Sequence, residues 1–202
     1  KEAIRLDPNN GFAHANLGFS YSKLGQQQEA IASYKEAIRL DPNNGFAHAN
    51  LGVSYSRLGQ HQEAIASSKE AIRLDPNDAL NHRRLGGNYL GLGQYQETLA
   101  PLKEAIRLNP NDALAHSSLG SAYDGLGHTD EAIASYKEAI RLDPDNALTN
   151  SILGIVYHKL GRHDEAIASY KEALRLDPHN ALTNRNLGTV YYNLGRHDEA
   201  IA

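Results

Sequence analysis

Histidine recurs at a fixed interval: His14, His48, His82 and His116 are each 34 residues apart, and the chain holds ten in all. Imidazoles gathered in one place serve as metal ligands or proton carriers. One ring per 34 residues does not gather them, because ligands of a shared metal need bonds of ~2 Å. His163 and His197 stand beside Asp164 and Asp198 in what reads as a helix start. Neither a metal site nor a cofactor is expected. Catalysis fares no better, since the sequence has no G-x-S-x-G elbow and no phosphate-binding loop. Zero cysteines remove disulfides and thiolate chemistry. Recognition chemistry is better represented. Asn16, Asn50 and Asn186 carry amides, which offer both donor and acceptor to any peptide unit. Lys23, Arg57, Arg83 and Arg84 supply positive charge suited to a carboxylate. Phe19 and Val53 add apolar contact, and Tyr192 joins them near the end of the chain.

Composition narrows the partners. Lys and Arg number 20 against 24 Asp and Glu, a net charge of −4, so no basic excess is available to neutralise nucleic-acid phosphates. No run approaches the ~18 consecutive apolar residues of a membrane span. Hydrophobic residues make up 41%, enough to expect a soluble chain with a buried core. The chain lacks methionine and opens at Lys1-Glu2-Ala3, which we read as a piece of a longer protein whose compartment is not legible here.

The elements that position these residues follow from a period of 34. Pro8, Pro42, Pro76, Pro110, Pro144 and Pro178 keep that step, as do the glycines from Gly25 to Gly195 and from Gly18 to Gly188. Full repeats run 11–44, 45–78, 79–112, 113–146 and 147–180, with partial repeats at 1–10 and 181–202. Within a repeat the apolar spacing predicts two helices: Leu17, Gly18, Tyr21 and Leu24 form one stripe, and Ala30, Ile31, Tyr34, Ala37 and Ile38 another. Gly25 suits a left-handed helix end, Asp41-Pro42 a helix stop, and Asn44, Asp78, Asp112, Asn146 and Asn180 the next N-cap. Neither helix is apolar all round, so each pair must lean on its neighbours.

This pattern resembles the tetratricopeptide repeat, in which a large or medium residue, Leu, Gly, Tyr, Ala, Tyr, Ala and Pro recur at set places. Here His14, Leu17, Gly18, Tyr21, Ala30, Tyr34, Ala37 and Pro42 occupy them, and the match covers the whole chain. The resemblance implies an all-α fold, a right-handed α-solenoid of stacked antiparallel helix pairs forming one array. His14, His48, His82, His116, Asn150 and Asn184 replace the family's frequent Trp, which predicts a wetter packing site. Ser68 stands for Tyr, Thr98 and Leu102 stand for Ala and Tyr, and Pro101 falls inside a second helix. A proline there costs ~3 kcal/mol in an ideal helix, so the third repeat, which also holds Gly87 and Gly91, is the expected soft point.

Copies can be compared with one another. Second helices are nearly identical, even at Lys35, Glu36 and Arg39, where the helical period assigns solvent and no packing need, so recent duplication or deliberate consensus is the simpler cause. Variation concentrates in the first helix, at positions two, five, six, nine, twelve and thirteen. These lie within about 60° of the direction opposite the Leu-Gly-Tyr stripe. In tetratricopeptide proteins that face lines a concave groove for partner segments, and the resemblance makes Asn16, Phe19, Lys23, Asn50, Val53, Arg57, Arg83, Arg84, Asn186 and Tyr192 the candidate contacts. The asparagines are similar to the ladder in the repeat domain of O-linked N-acetylglucosamine transferases, interrupted here by Arg84, Ser118 and Ile152. The carboxylate clamp of chaperone-binding relatives is absent, since Ala15 and Phe19 hold its Lys and Asn places. Position two (Phe12, Phe46, Leu80, Leu114, Leu148, Leu182) is expected to pack between repeats.

The reading is a non-catalytic interaction module that binds a polypeptide segment of acidic character. Alternatives are the partner-recognition domain of a larger enzyme, such as a glycosyltransferase, or a consensus-like array without a ligand. The chain begins and ends inside the same helix of the repeat, so head-to-tail self-association is a further expectation.

Overall fold

Each first helix opens on a side-chain cap. Asn10, Asn44, Asn146 and Asn180 accept from the amides of Ala13, Ala47, Thr149 and Thr183 at 2.9–3.0 Å, and Asp112 does the same for Ala115. Asp78 reaches the amide of Leu80 at 2.8 Å. Such a cap is worth ~1 kcal/mol, because it satisfies an amide with no partner inside the helix. The same helices close on glycines at φ between +69° and +79°, from Gly25 to Gly195. That turn lets the Gln26 amide donate to Tyr21 at 3.0 Å and the Gly25 amide to Ser22 at 3.2 Å, satisfying the last carbonyls. Second helices stop at an extended residue before proline, as at Asp41.

The computed structural model describes residues 2–200; Lys1, Ile201 and Ala202, with the chain-end contacts read into them, lie outside the described residues. Among the described residues there are thirteen helices and no strand, in two compact bodies divided between Pro110 and Asn111. The N-terminal body holds α1 (Glu2–Leu6), α2 (Gly11–Lys23), α3 (Gln27–Leu40), α4 (Gly45–Arg57), α5 (His61–Leu74), α6 (Ala79–Gly91) and α7 (Tyr95–Leu108). The C-terminal body holds α8 (Ala113–Gly125), α9 (Thr129–Leu142), α10 (Ala147–Lys159), α11 (His163–Leu176), α12 (Ala181–Asn193) and α13 (His197–Ala200). Within each body consecutive helices pack as hairpins, and each pair rests on the next.

One close approach sets the hairpin. Gly18, Gly120 and Gly154 lie so near the rings of Tyr34, Tyr136 and Tyr170 that an added Cβ would sit 2.7–2.9 Å from them. In the second repeat Ser68 takes the ring's place, and the corresponding distance at Gly52 relaxes to 3.2 Å. In the third, Leu102 fills the same volume, 2.6 Å from a Cβ on Gly86. Pro101, next to it, sits inside α7 without interrupting the helix.

One expectation needs correction. Lys35 is not idle surface: its ammonium lies 5.7 Å from the centre of the Tyr55 ring in the following repeat, and Lys69 repeats this on Tyr89. Lys137 on Tyr157 and Lys171 on Tyr191 do the same in the C-terminal body. Glu36 and Arg39 pair at 2.8 Å, an arrangement repeated at Glu70 and Arg73. Inter-repeat contact thus accounts for part of the uniformity. The histidine column also has a definite task. His14, His48 and His82 donate from Nε2 to the carbonyls of Pro8, Pro42 and Pro76 at 2.9–3.1 Å, tying each first helix to the turn before it. Asn150 and Asn184 instead donate to the carbonyls of Asn146 and Asn180 within their own helices.

Candidate functional site

First helices neighbour one another within each body, and clefts open between them. Between α4 and α6 lies one of about 380 Å³, lined by Phe46, Ala49 and Asn50 on one side and Leu80, Asn81 and Arg84 on the other. Position two packs less than expected: Phe12 is 71% exposed, Leu148 68% and Leu182 52%, while Phe46 at 46% meets the Phe19 ring of the preceding repeat. The period places these residues on the helix face between neighbouring repeats, but the next helix does not close over them.

The candidate residues divide by what they touch. Asn16 is exposed and borders a separate cleft with Ile4 and Phe12. Phe19, 41% exposed, lies under the Lys23 ammonium at 5.2 Å and 6.0 Å from the Phe46 ring. Asn50 donates to the carbonyl of Phe46 at 2.8 Å, which fixes its amide at the cleft wall. Val53 is half-buried. Arg57 turns back on the fold, donating to the carbonyl and hydroxyl of Ser22 at 3.2 and 3.1 Å. Arg83 and Arg84 are both half-buried on α6. In the C-terminal body Asn186 lines a cleft with Arg185, while Tyr192 is 66% exposed with its ring 5.3 Å from His197. Asn50 and Arg84 therefore share a site, as do Lys23 and Phe19; Arg57 and Asn16 stand apart from both pairs.

Arg84 has the most constrained electrostatics. Burial pushes its guanidinium below the ordinary arginine range, Asp78 opposes this and Arg83 adds to it. Its only hydrogen-bond partner among the described residues is the Asn81 amide oxygen at 3.4 Å, and no carboxylate there lies within ion-pair distance. Two acids border the cleft, and both accept from backbone amides: Asp78 from Leu80 at 2.8 Å and Asp75 from Asn77 at 3.1 Å.

Sequence reasoning placed Arg185 and His158 on the variable first-helix face without singling them out and did not connect Tyr170 with them; all three line the cleft between α10 and α12. For Tyr170 a signal was available at position nine, where Ile155 stands in place of the Ser121 that accepts from Tyr136. Among the described residues no three His, Cys, Asp or Glu side chains come together as a metal site. None of their helices is long and apolar enough to cross a membrane.

Comparison with known proteins agrees with this architecture. A family profile described as TPR repeat matches residues 20–59, 86–127, 125–161 and 154–195, and profiles described as tetratricopeptide repeat match 1–32 and 46–78. The chain belongs to the tetratricopeptide repeat family. Among solved structures, residues 41 to the end of MamA from Desulfovibrio magneticus RS-1 align with a TM-score of 0.78 at 25% identity, over 85% of this chain and 97% of that one. A further MamA crystal structure aligns with a TM-score of 0.75 at 32% identity, over 82% and 96%. YrrB, described as a TPR protein with an unusual peptide-binding site, has a TM-score of 0.74 at 24% identity over 90% and 94%, a likeness of fold. No curated protein matches the sequence. Tetratricopeptide arrays of this kind are protein-interaction scaffolds, and this chain shares that general role.

Proposed function

We propose that the chain binds a polypeptide segment along the face made by its first helices, as the non-catalytic recognition part of an assembly or of a larger protein. The observation that carries this is Arg84: a half-buried cation with no carboxylate partner, beside the Asn50 amide and the exposed Phe46 and Leu80. A desolvated guanidinium gains most from a carboxylate that arrives with the partner, because both charges then interact away from bulk water. An amide beside it can hold the segment's backbone, and the apolar pair can receive a side chain next to the acid. The segment is therefore acidic with an apolar neighbour. Lys23 over Phe19 extends the same character along α2.

Selection from a random peptide display library on the immobilised chain tests this. Enriched peptides should pair Asp or Glu with an apolar residue, and Arg84→Glu should weaken them about tenfold or more with helicity unchanged. Absence of enrichment, or peptides indifferent to Arg84→Glu, removes the reading.

A further inference from the structure

Three repeats carry tyrosine at position twenty-four, and the three hydroxyls meet different fates. Tyr136 donates to Ser121 at 3.0 Å, the residue at position nine of its own repeat. Tyr34 has Phe19 at that place; its hydroxyl is sealed from solvent and has no hydrogen-bond partner among the described residues. Tyr170 has Ile155 there, which offers no acceptor. Yet Tyr170 borders an open cleft. Its side chain is 1% exposed and forms part of the wall of a cleft of about 270 Å³ between α10 and α12, and its hydroxyl has no hydrogen-bond partner among the described residues.

The surroundings say what would satisfy it. Arg185 and Asn186 project from α12 into the lining of the same cleft, with Ile155 and Leu182 as apolar walls. Arg185 has no carboxylate within ion-pair distance among the described residues. His158 lines the cleft too, and its Nδ1 is buried without a hydrogen-bond partner among the described residues. Thr189 spends its hydroxyl on the carbonyl of Arg185 at 2.9 Å. No acid is among the lining residues. Burial pushes the Tyr170 phenol up to about 12, so it stays a donor at neutral pH. Donors and a cation thus converge on a small space with no protein acidic group to answer them.

We propose that the α10–α12 cleft is a subsite for one acidic side chain of a bound polypeptide, its carboxylate accepting from Tyr170 and Arg185 and its carbon stem lying between Ile155 and Leu182. This rests on the reading that the first-helix face receives a polypeptide, and it assigns the acid-binding role to a second, separate body. The apolar walls favour a glutamate stem over a free inorganic anion, which has nothing to place against them.

The test is amide NMR titration of the whole chain with N-acetylglutamate methylamide, compared with N-acetylglutamine methylamide and inorganic phosphate. The glutamate probe should give saturable shifts at Arg185, Asn186 and Thr189. The glutamine probe, Tyr170→Phe and Arg185→Gln should each weaken binding about tenfold. Tyr170→Phe removes a hydroxyl with no protein partner, so an unchanged melting temperature confirms an intact fold. Equal response to the two amino-acid probes, indifference to Tyr170→Phe, or tighter binding of phosphate overturns the proposal. Display-selected peptides that bind without moving Arg185 or Asn186 also overturn it while leaving the peptide reading in place. A glutamate response in a chain that selects no peptide supports the subsite and removes the peptide reading.

Discussion

The Tyr136 hydroxyl donates to Ser121 at 3.0 Å, and Ser121 in turn donates to the carbonyl of Ser117 at 3.2 Å. The Tyr34 hydroxyl, in the same place of its repeat, has no hydrogen-bond partner among the described residues. Removing the two hydroxyls should therefore have unlike effects. Tyr136→Phe loses a satisfied bond and should cost ~1 kcal/mol, whereas Tyr34→Phe relieves a buried unpaired group and should be neutral or slightly stabilising. Urea unfolding of both variants checks this, and equal losses would contradict the difference in bonding.

Alkaline pH should expose the same three side chains. Burial pushes Tyr34, Tyr136 and Tyr170 up to about 12 from an ordinary value near 10. Over that interval the folded chain holds protons that the unfolded chain releases, so stability falls as pH rises. It should be flat below about pH 10 and decline from there toward 12. Tyrosinate absorbance followed together with circular dichroism reports it: Tyr34, Tyr136 and Tyr170 should ionise together with the loss of helicity. Full ionisation in a chain still helical would show that burial does not hold the protons.

Adjacent glycines on α6 should respond oppositely to alanine. A Cβ on Gly86 would stand 2.6 Å from Leu102, whereas one on Gly87 meets nothing within 4 Å. Gly86→Ala should cost ~1–3 kcal/mol through overpacking. Gly87→Ala should gain up to ~1 kcal/mol, because glycine is a poor residue for a helix interior. Thermal melts of the pair give the sign directly.

These contrasts show where the sequence was legible. Caps at Asn10 or Asp112 and the turn at Gly25 depend on neighbours within a few residues, so spacing alone located them. The 34-residue period likewise identified the helix face that carries Asn50 and Arg84. What spacing does not encode is how closely the next repeat approaches. Phe46 and Leu148 sit where packing was expected and remain exposed. Lys23 and Arg57 hold the same register, yet one stacks on Phe19 and the other reaches Ser22, 35 residues away. Lys35 needed Tyr55 of the following repeat before its recurrence had a cause. Tyr170 became notable only with Ile155, 15 positions earlier, where Tyr136 finds Ser121 at that separation.

Pro101 offers the remaining test, in the N-terminal body. Its place in other repeats belongs to serines such as Ser33, Ser67 and Ser135, which donate to the carbonyls of Glu29, Glu63 and Glu131 at 2.8–2.9 Å. Proline has no amide hydrogen, so the carbonyl of Glu97 loses its helical donor while α7 continues past it. The helix survives because Thr98, Leu102 and Ala105 remain buried on its packed face. Pro101→Ser restores the bond and should raise stability by up to ~3 kcal/mol, less whatever the present backbone has already relaxed. Amide exchange should locate the effect: in the parent chain, α7 exchanges faster than α3 and α5, and the substitution removes the excess. Equal protection of α3, α5 and α7 before substitution would mean that packing alone sets their stability and that the third repeat is no softer than its neighbours.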